Sequence, residues 1–556
     1  MSKGFWEQMK GFPTWQLTLI CLIRLGEPMV FTSIFAYIFF MIQDFGIAKN
    51  ASEIATYAGY LSASFAICQF LFSVQYAQAS VKFGRKPVLL FGVMGTAVSS
   101  ILFGFSSSFS MALVARSLMG ALNGNIAVMR VAIGEIAVEK KHQNMAFTAL
   151  SVMWGIGSII GPLIGSSPWL TRPGKTKEQL IEVVSYSDFV KRHPYAMSNI
   201  VLAGYLFLSF VLGFLFLEET ADKFKNRKDY GLVIGDWIFL KLGLEVPKRP
   251  WDRALDLEQP HEREELIHPT AIYAAVGGSE EEEGEESDED IDNALVSRRF
   301  GNAARRRYSS EQLGPVTDGH SVSTNVSQSF TKEVFTIPVI QSVLSNFLLC
   351  FHTVLYSEFL PVLLASQLLV DKLVFPFTIV GGFGWQTNDI GALLSSTGII
   401  GSIAVIFLFP VLDHHFRSIT ILRLSYALVP IAYAIIPYFL FTTHDYNSSN
   451  SEWLSKGLLY VTSMIISASV SVSFPTTMIL VHRASPEKHR ALINGSSLSL
   501  NSLARGISPI IFGHFMTWCN EHEMGSVPWV ILGMLALICL VQSFYMDDYD
   551  DDEDDE

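Results

Sequence analysis

Charge is scarce in this chain: Asp, Glu, Lys and Arg make up 16% of its 556 residues, where an ordinary soluble domain carries about a quarter. Half of the residues are hydrophobic and 12% are aromatic, a composition that points to a polytopic membrane protein. Cysteine is scarce as well. The five thiols, Cys21, Cys68, Cys350, Cys519 and Cys539, are odd in number and lack CxxC or Cys/His ligand spacing, which argues for core thiols over a disulfide framework or a zinc site. Lys and Arg are scattered between apolar runs with no basic face or reader motif, so nucleic acid is not an expected partner. No GxxxxGK[ST] loop occurs, which disfavours direct ATP drive. Nor do the apolar runs hold a nucleophile–base set or metal-ligand spacing, so neither an enzyme nor a cofactor is expected. The formal net charge of −13 gathers largely in Glu280 to Asp292 and Asp547 to Glu556, and belongs to linker and tail. The first apolar stretch, Trp15 to Ile42, is too long for a signal-peptide core and is expected to stay as a span.

What the chain does have is long apolar runs. A span needs about 20 such residues, and about twelve candidates can be marked in two sets of six. The first set covers residues 15–42, 53–79, 88–106, 109–133, 145–166 and 196–217; the second covers 336–364, 388–411, 419–441, 457–481, 491–513 and 527–546. The expected organisation is a short N-terminus (1–14), a six-helix bundle (15–217), a charged and largely disordered linker (218–335), a second six-helix bundle (336–546) and an acidic tail (547–556). Inside the linker, Tyr230 to Leu244 is too short to span and suits the membrane interface. Short loops carrying Lys82, Arg85 and Lys86, then Arg130, Lys140 and Lys141, then Arg417, then Arg483, Lys488 and Arg490 fall on one side, which places both termini in the cytosol. The loop 167–195, with five Lys or Arg residues on the outer side, dissents. Glycosylation sequons at Asn50 and Asn447 fall in outer loops, whereas those at Asn325 and Asn494 do not.

Gly157, Gly161 and Gly165 recur every four residues in the fifth span, with Pro162 after the middle one. On a helix the three share a face, a bare groove for close packing, expected against the partner bundle. Pro162 removes the amide that would bond the Ser158 carbonyl and softens the helix there. The second half echoes the first. Span eleven carries Arg505, Pro509 and Gly513, span seven carries Glu358 and Pro361 as span one carries Glu27 and Pro28, and Asp413 to Arg417 stands where Gly84 to Lys86 stands in the first half.

These motifs resemble those of the major facilitator superfamily, in its twelve-span drug:proton antiporter branch. Gly157-Ser-Ile-Ile-Gly161-Pro162-Leu-Ile-Gly165 is similar to the antiporter motif, with Ser166 where a last glycine is usual. Arg116-Ser-Leu-Met-Gly120-Ala-Leu-Asn-Gly124 resembles the Arg-x-x-x-Gly-x-x-x-Gly motif, whose arginine is associated with proton coupling. Phe83-Gly84-Arg85-Lys86-Pro87 resembles the second half of the gating loop, while Ala77 and Val81 stand where the family has a glycine and an aspartate. Arg24-Leu-Gly-Glu27-Pro28 and Leu217-Glu-Glu219-Thr220 are similar to fungal members related to the plant zinc-induced facilitators and to tetracycline-resistance-type transporters. The resemblance implies an all-α fold of two pseudo-symmetric six-helix bundles that moves a small organic solute or drug-like compound against protons by alternating access. It also implies a monomer in the vacuolar or plasma membrane, with Gly84, Arg85 and Lys86 latching the cytosolic side.

A charge at the bilayer centre costs roughly 2.5–3.5 kcal/mol, so Arg24, Glu27, Arg116 and Glu358 must pair or face a wet cavity. Two readings stand side by side: Glu27 or Glu358 takes up and releases a proton with an arginine competing for the carboxylate, or Arg24 and Glu27 form a fixed structural pair. His352 reads as a cavity or packing residue, and the adjacent His414 and His415 diverge on a helix. The stretch Phe375 to Trp385 reads as an interfacial aromatic belt or a gate. In the linker, Ser279 and Ser287 precede acidic runs and Arg306-Arg307-Tyr-Ser309 resembles a basic-directed kinase site, so kinases join protons, solute and lipid as expected partners. A nutrient symporter or uniporter, or a non-transporting solute receptor, would share the same fold.

Overall fold

The computed structural model describes residues 13–137, 140–172, 187–221, 223–243, 336–376, 378–486 and 489–547, together with residues 246, 249, 251 and 334. These residues are overwhelmingly helical, and β-pairing among them is confined to isolated bridges such as Leu368 with Gly381. The first half comprises α1 (Thr14–Ser33), α2 (Ile38–Phe45), α3 (Ile54–Phe83), α4 (Arg85–Gly104), α5 (Phe109–Ala121), α6 (Asn125–Ile136), α7 (Lys140–Ser166), α8 (Ser187–Arg192) and α9 (Ala196–Phe216). After α10 (Tyr230–Lys241), the second half comprises α11 (Ile337–Ala365), α12 (Thr387–Ile403), α13 (Phe409–His415), α14 (Ser418–Ala427), α15 (Val429–Ile435), α16 (Glu452–Ala484), α17 (Arg490–Glu521) and α18 (Val527–Ser543).

Among the described residues, eight helical segments are long and apolar enough to cross a membrane, and Phe109–Ala121, Val152–Ser166 and Val527–Ser543 are shorter apolar helices. The remaining span is α17, whose N-terminal half is rich in Ser and Asn; a helix so composed is suited to other helices and a wet cavity rather than to lipid. The fold is thus a twelve-span helical bundle, as the hydropathy pattern predicts.

Breaks fall where the chain meets a proline or a neighbouring backbone. The expected span 109–133 is two helices, α5 and α6, interrupted at residues 122–124. At Gly120 the place of a Cβ is taken by the Phe65 carbonyl, and at Gly124 by the Tyr76 ring, so this stretch is pressed onto α3. The carbonyls freed by the break receive side-chain donors from α3: Tyr76 OH donates to Leu122 O at 3.0 Å and Gln69 Nε2 to Asn123 O at 3.0 Å. Pro28 and Pro361 lie inside α1 and α11, and Pro162 and Pro509 inside α7 and α17, matching positions in the two halves. In the eighth span a π turn, Ala404–Leu408, joins α12 to α13 just before Pro410, a wide turn that tolerates a missing amide.

Two expectations change. Arg130, counted by sequence with the loop between spans four and five, lies within α6. The segment taken as disordered linker from residue 218 onward is folded as far as α10, which packs against α9. Ser279, Ser287 and Ser309, with the tail from residue 548, lie outside the described residues.

Candidate functional site

The three glycines of α7 face α1. A Cβ at Gly157 would meet the Pro28 ring, one at Gly161 the Thr32 hydroxyl and Met29 carbonyl, and one at Gly165 the Ser33 carbonyl. This corrects the expectation that the groove meets the partner bundle: it packs inside its own half, against the Pro28 to Ser33 stretch of α1. The other side of α7 crosses to the second half. Ser395 Oγ donates to Ile159 O at 3.1 Å, Gly391 packs on Ser166 and the Pro162 carbonyl, and Gly155 lies against Ser402.

A second seam joins α3 to α17. Gly59 abuts the Pro509 carbonyl, Thr56 Oγ1 donates to Gly513 O at 3.2 Å, and Tyr60 OH bonds His514 Nε2 at 2.9 Å. Pro509 and Gly513 therefore do in α17 what Pro162 and Ser166 do in α7. Both seams favour the end away from Gly84. From Ile54 to Ala66 most of α3 is buried, whereas from Leu71 to Phe83 Tyr76 and Ser80 are the buried residues among those described. Along α3, contact with α17 is therefore concentrated at the end away from Gly84. We expect Gly59→Val, whose side chain would overlap Pro509, to hold the α3–α17 seam open. Labelling of Thr517→Cys by a membrane-impermeant maleimide should then rise; unchanged labelling would refute the seam's role in closure.

Between the seams lies a set of buried and half-buried charges drawn from five helices. Arg24 and Glu27, one turn apart on α1, form a direct ion pair, and the Arg24 guanidinium lies 5.0 Å from the Trp154 ring centre. Gln69 of α3 donates to Glu27 Oε1 at 3.5 Å and accepts from Arg505 Nη2 of α17 at 3.2 Å, which links the halves through one amide. Arg130 of α6 also acts electrostatically on this pair. Arg116 of α5 is 1% exposed; its guanidinium sits 4.6 Å from the Phe65 ring centre and 5.6 Å from that of Phe31, and Nε and Nη2 have no hydrogen-bond partner. Glu358 of α11 is 6% exposed and its Oε2 has none either. Ser62 of α3 is its hydrogen-bonding neighbour, and Arg116 and Arg505 are the cations that act on it.

Sequence reasoning named Arg24, Glu27, Arg116 and Glu358, and had Arg505 only as an echo. It missed Ser62, Gln69 and Arg130. A lone Gln inside the apolar stretch of α3 was the available signal, since an amide facing lipid would be costly.

The family model described as Major Facilitator Superfamily matches residues 20–446 and, in a second match, 343–556. The chain belongs to the major facilitator superfamily. It is a membrane transporter by fold and kinship. Major facilitator superfamily multidrug transporter mfsB of Aspergillus fumigatus is 30% identical over 99% of this chain and 86% of its own length. Protein ZINC INDUCED FACILITATOR 1 of Arabidopsis thaliana is 25% identical over 93% and 87%. The crystal structure of a D-xylose-proton symporter shares the fold, with a TM-score of 0.59 at 11% identity over 96% of this chain and 98% of that one.

In this facilitator the loop Gly84 to Lys86, which the resemblance cast as a gate, is held by its own half. Gly84 has a positive φ of 104° and leaves room for the Glu219 carboxylate, which accepts the main-chain N–H groups of Arg85 at 2.8 Å and Lys86 at 3.2 Å and so caps α4. Arg85 pairs with Glu135 at 2.9 Å, which Thr220 also holds, and Lys86 pairs with Asp229 at 2.7 Å. Val81, in the place of the usual aspartate, is 65% exposed. The Leu217-Glu-Glu219-Thr220 motif thus serves to fasten this loop. In the second half, Asp413 and Arg417 are exposed, as are His414 and His415. His352 bonds Tyr433 OH at 3.1 Å in a buried aromatic group with Tyr356. The stretch expected as an aromatic belt is largely packed inward: Phe383 and Trp385 are buried because Gly382 sits on the Leu363 carbonyl, and only Phe375 of these three stands out. Asn50 and Asn447 are exposed.

Proposed function

We propose that this facilitator exports a small organic solute in exchange for protons, with Glu358 as the proton carrier. The observation that carries the reading is the position of Glu358: a buried carboxylate on the second half with one unpartnered oxygen, whose neighbours Ser62 and Arg116 belong to the first half. Ionised, it attracts Arg116 across the divide; neutral, it releases that attraction. A proton can therefore bias which seam is closed. The multidrug assignment of the Aspergillus fumigatus relative and the glycine–proline element of α7 support export over uptake. In this reading the Arg24–Glu27–Gln69–Arg505 chain positions the two halves, Arg85 and Lys86 belong to the cytosolic gate, and the termini lie in the cytosol of a vacuolar or plasma membrane.

The test is flux in vesicles reconstituted with the full chain and loaded with a fluorescent cationic dye as a representative drug-like solute. An imposed pH gradient should drive dye against its own gradient, and dye movement should in turn carry protons the opposite way. Dye and protons moving together would make the protein a symporter. Dye flux indifferent to the pH gradient would remove the coupling.

A further inference from the structure

The chain leaving α9 does not pass straight into the linker. It turns through Lys223, Lys225, Arg227 and Lys228, all exposed, and folds back as α10 on the last turn of α9. Two glycines set this seat: where Gly231 and Gly235 would carry a Cβ stand the carbonyls of Phe214 and Leu215. Leu232 is buried on the same face, and Phe239 stacks on Phe216 with ring centres 4.9 Å apart. The opposite face is a stripe of apolar side chains at helical spacing: Tyr230, Ile234, Trp237 and Leu240 are 77%, 47%, 55% and 67% exposed. Lys241 holds its ammonium 3.9 Å from the Trp237 ring centre.

The seat fixes the depth of this stripe. Phe214 and Leu215 belong to the end of a membrane-spanning helix, so α10 lies at the boundary of the bilayer, and α9 itself exposes Phe207 and Phe214. An apolar stripe bordered by basic residues at that depth matches an acyl chain below and a negatively charged headgroup above. The seat is also joined to the gating loop. Asp229 caps α10 by accepting from Gly231 N at 2.8 Å, and its other oxygen takes the Lys86 ammonium at 2.7 Å.

We propose that α10 and residues 223–228 form a binding site for anionic phospholipid, with the stripe in the interface and Lys223, Arg227, Lys228 and Lys241 on the headgroups. Through Asp229 the site ties the gating loop to the charge of the cytosolic leaflet. This goes beyond the transport reading and does not depend on proton coupling.

The full chain in nanodiscs of phosphatidylcholine, alone or mixed with phosphatidylserine, tests the site through amide hydrogen exchange of residues 230–241. Exchange should slow by about fivefold or more in the mixture, since a single basic residue at an anionic surface contributes about that factor. The variant K223Q/R227Q/K228Q should lose the difference between the two lipids, and so should raised salt. Equal exchange of the unaltered chain in the two lipids overturns the proposal, as does a lipid difference that survives in the variant. Because the readout is local exchange, it stands whether or not a transported solute has been found.

Discussion

Glu358→Gln will reduce pH-gradient-driven flux to the level of empty vesicles while leaving the protein folded. Glutamine preserves the shape of the side chain and can still bond Ser62, but it carries no titrating proton. The loss of charge is tolerable at this position because Glu358 is not fastened to a cation: its Oε2 has no partner, and Arg116 rests on the faces of Phe31 and Phe65 instead of in an ion pair. The thermal midpoint of the purified variant should therefore lie within about 3 °C of the parent, a shift that corresponds to roughly 1 kcal/mol. Downhill movement of dye, with no pH gradient imposed, should persist, because Glu358 makes none of the α3–α17 or α7–α12 seam contacts. Flux that still follows the pH gradient in this variant would remove Glu358 from the proton path. A large drop in the thermal midpoint would instead mark the carboxylate as structural.

The twelve spans were legible because hydropathy is a direct measure of what the bilayer tolerates, and the linker boundary was not. Tyr230 to Leu244 stood out as an apolar stretch suited to the interface, but its seat on α9 did not, because that seat is made where Gly231 and Gly235 admit two backbone carbonyls. Such a fit between backbones leaves almost no trace in composition. The break between α5 and α6 escaped for the same reason: Leu122, Asn123 and Gly124 contain no proline, and what interrupts the helix is the approach of Phe65 and Tyr76 from another span.

The glycine face of α7 shows a different limit. Four-residue spacing announced a close helix contact and said nothing of its partner. The partner is α1, whose stretch from Pro28 to Ser33 offers carbonyls and a hydroxyl at the right height; the cross-bundle contacts fall to Ile159, Pro162 and Ser166 on another side of the same helix. Of the candidate site, the ionisable residues stood out because a charge in an apolar run is costly. Their grouping did not, since Glu27 and Arg505 meet through Gln69 from positions hundreds of residues apart. The reading of Glu27 as a proton carrier weakens once this geometry is known: it already has a direct cation and an amide donor, while Glu358 has neither.

That difference yields the second large effect. Glu27→Gln should destabilise the protein by on the order of 3–5 kcal/mol, because it leaves the Arg24 guanidinium buried without its counter-ion. Arg24 and Glu27 have side chains only 9% and 10% exposed, and Arg24 Nε has no hydrogen-bond partner to take up the loss. The thermal midpoint should fall by about 10 °C. Removing both charges, as Arg24→Met with Glu27→Gln, takes away the uncompensated cation. Methionine fills much the same space beside Trp154, and glutamine can still meet Gln69, so the double variant should return to within about 1 kcal/mol of the parent. If the pair is structural, pH-driven flux returns with the fold. A double variant that is stable and still fails to follow the pH gradient would put Glu27 back in the proton path beside Glu358. A double variant as unstable as the single one would show that Glu27 is needed for something other than balancing Arg24, and the amide of Gln69 would be the next group to change.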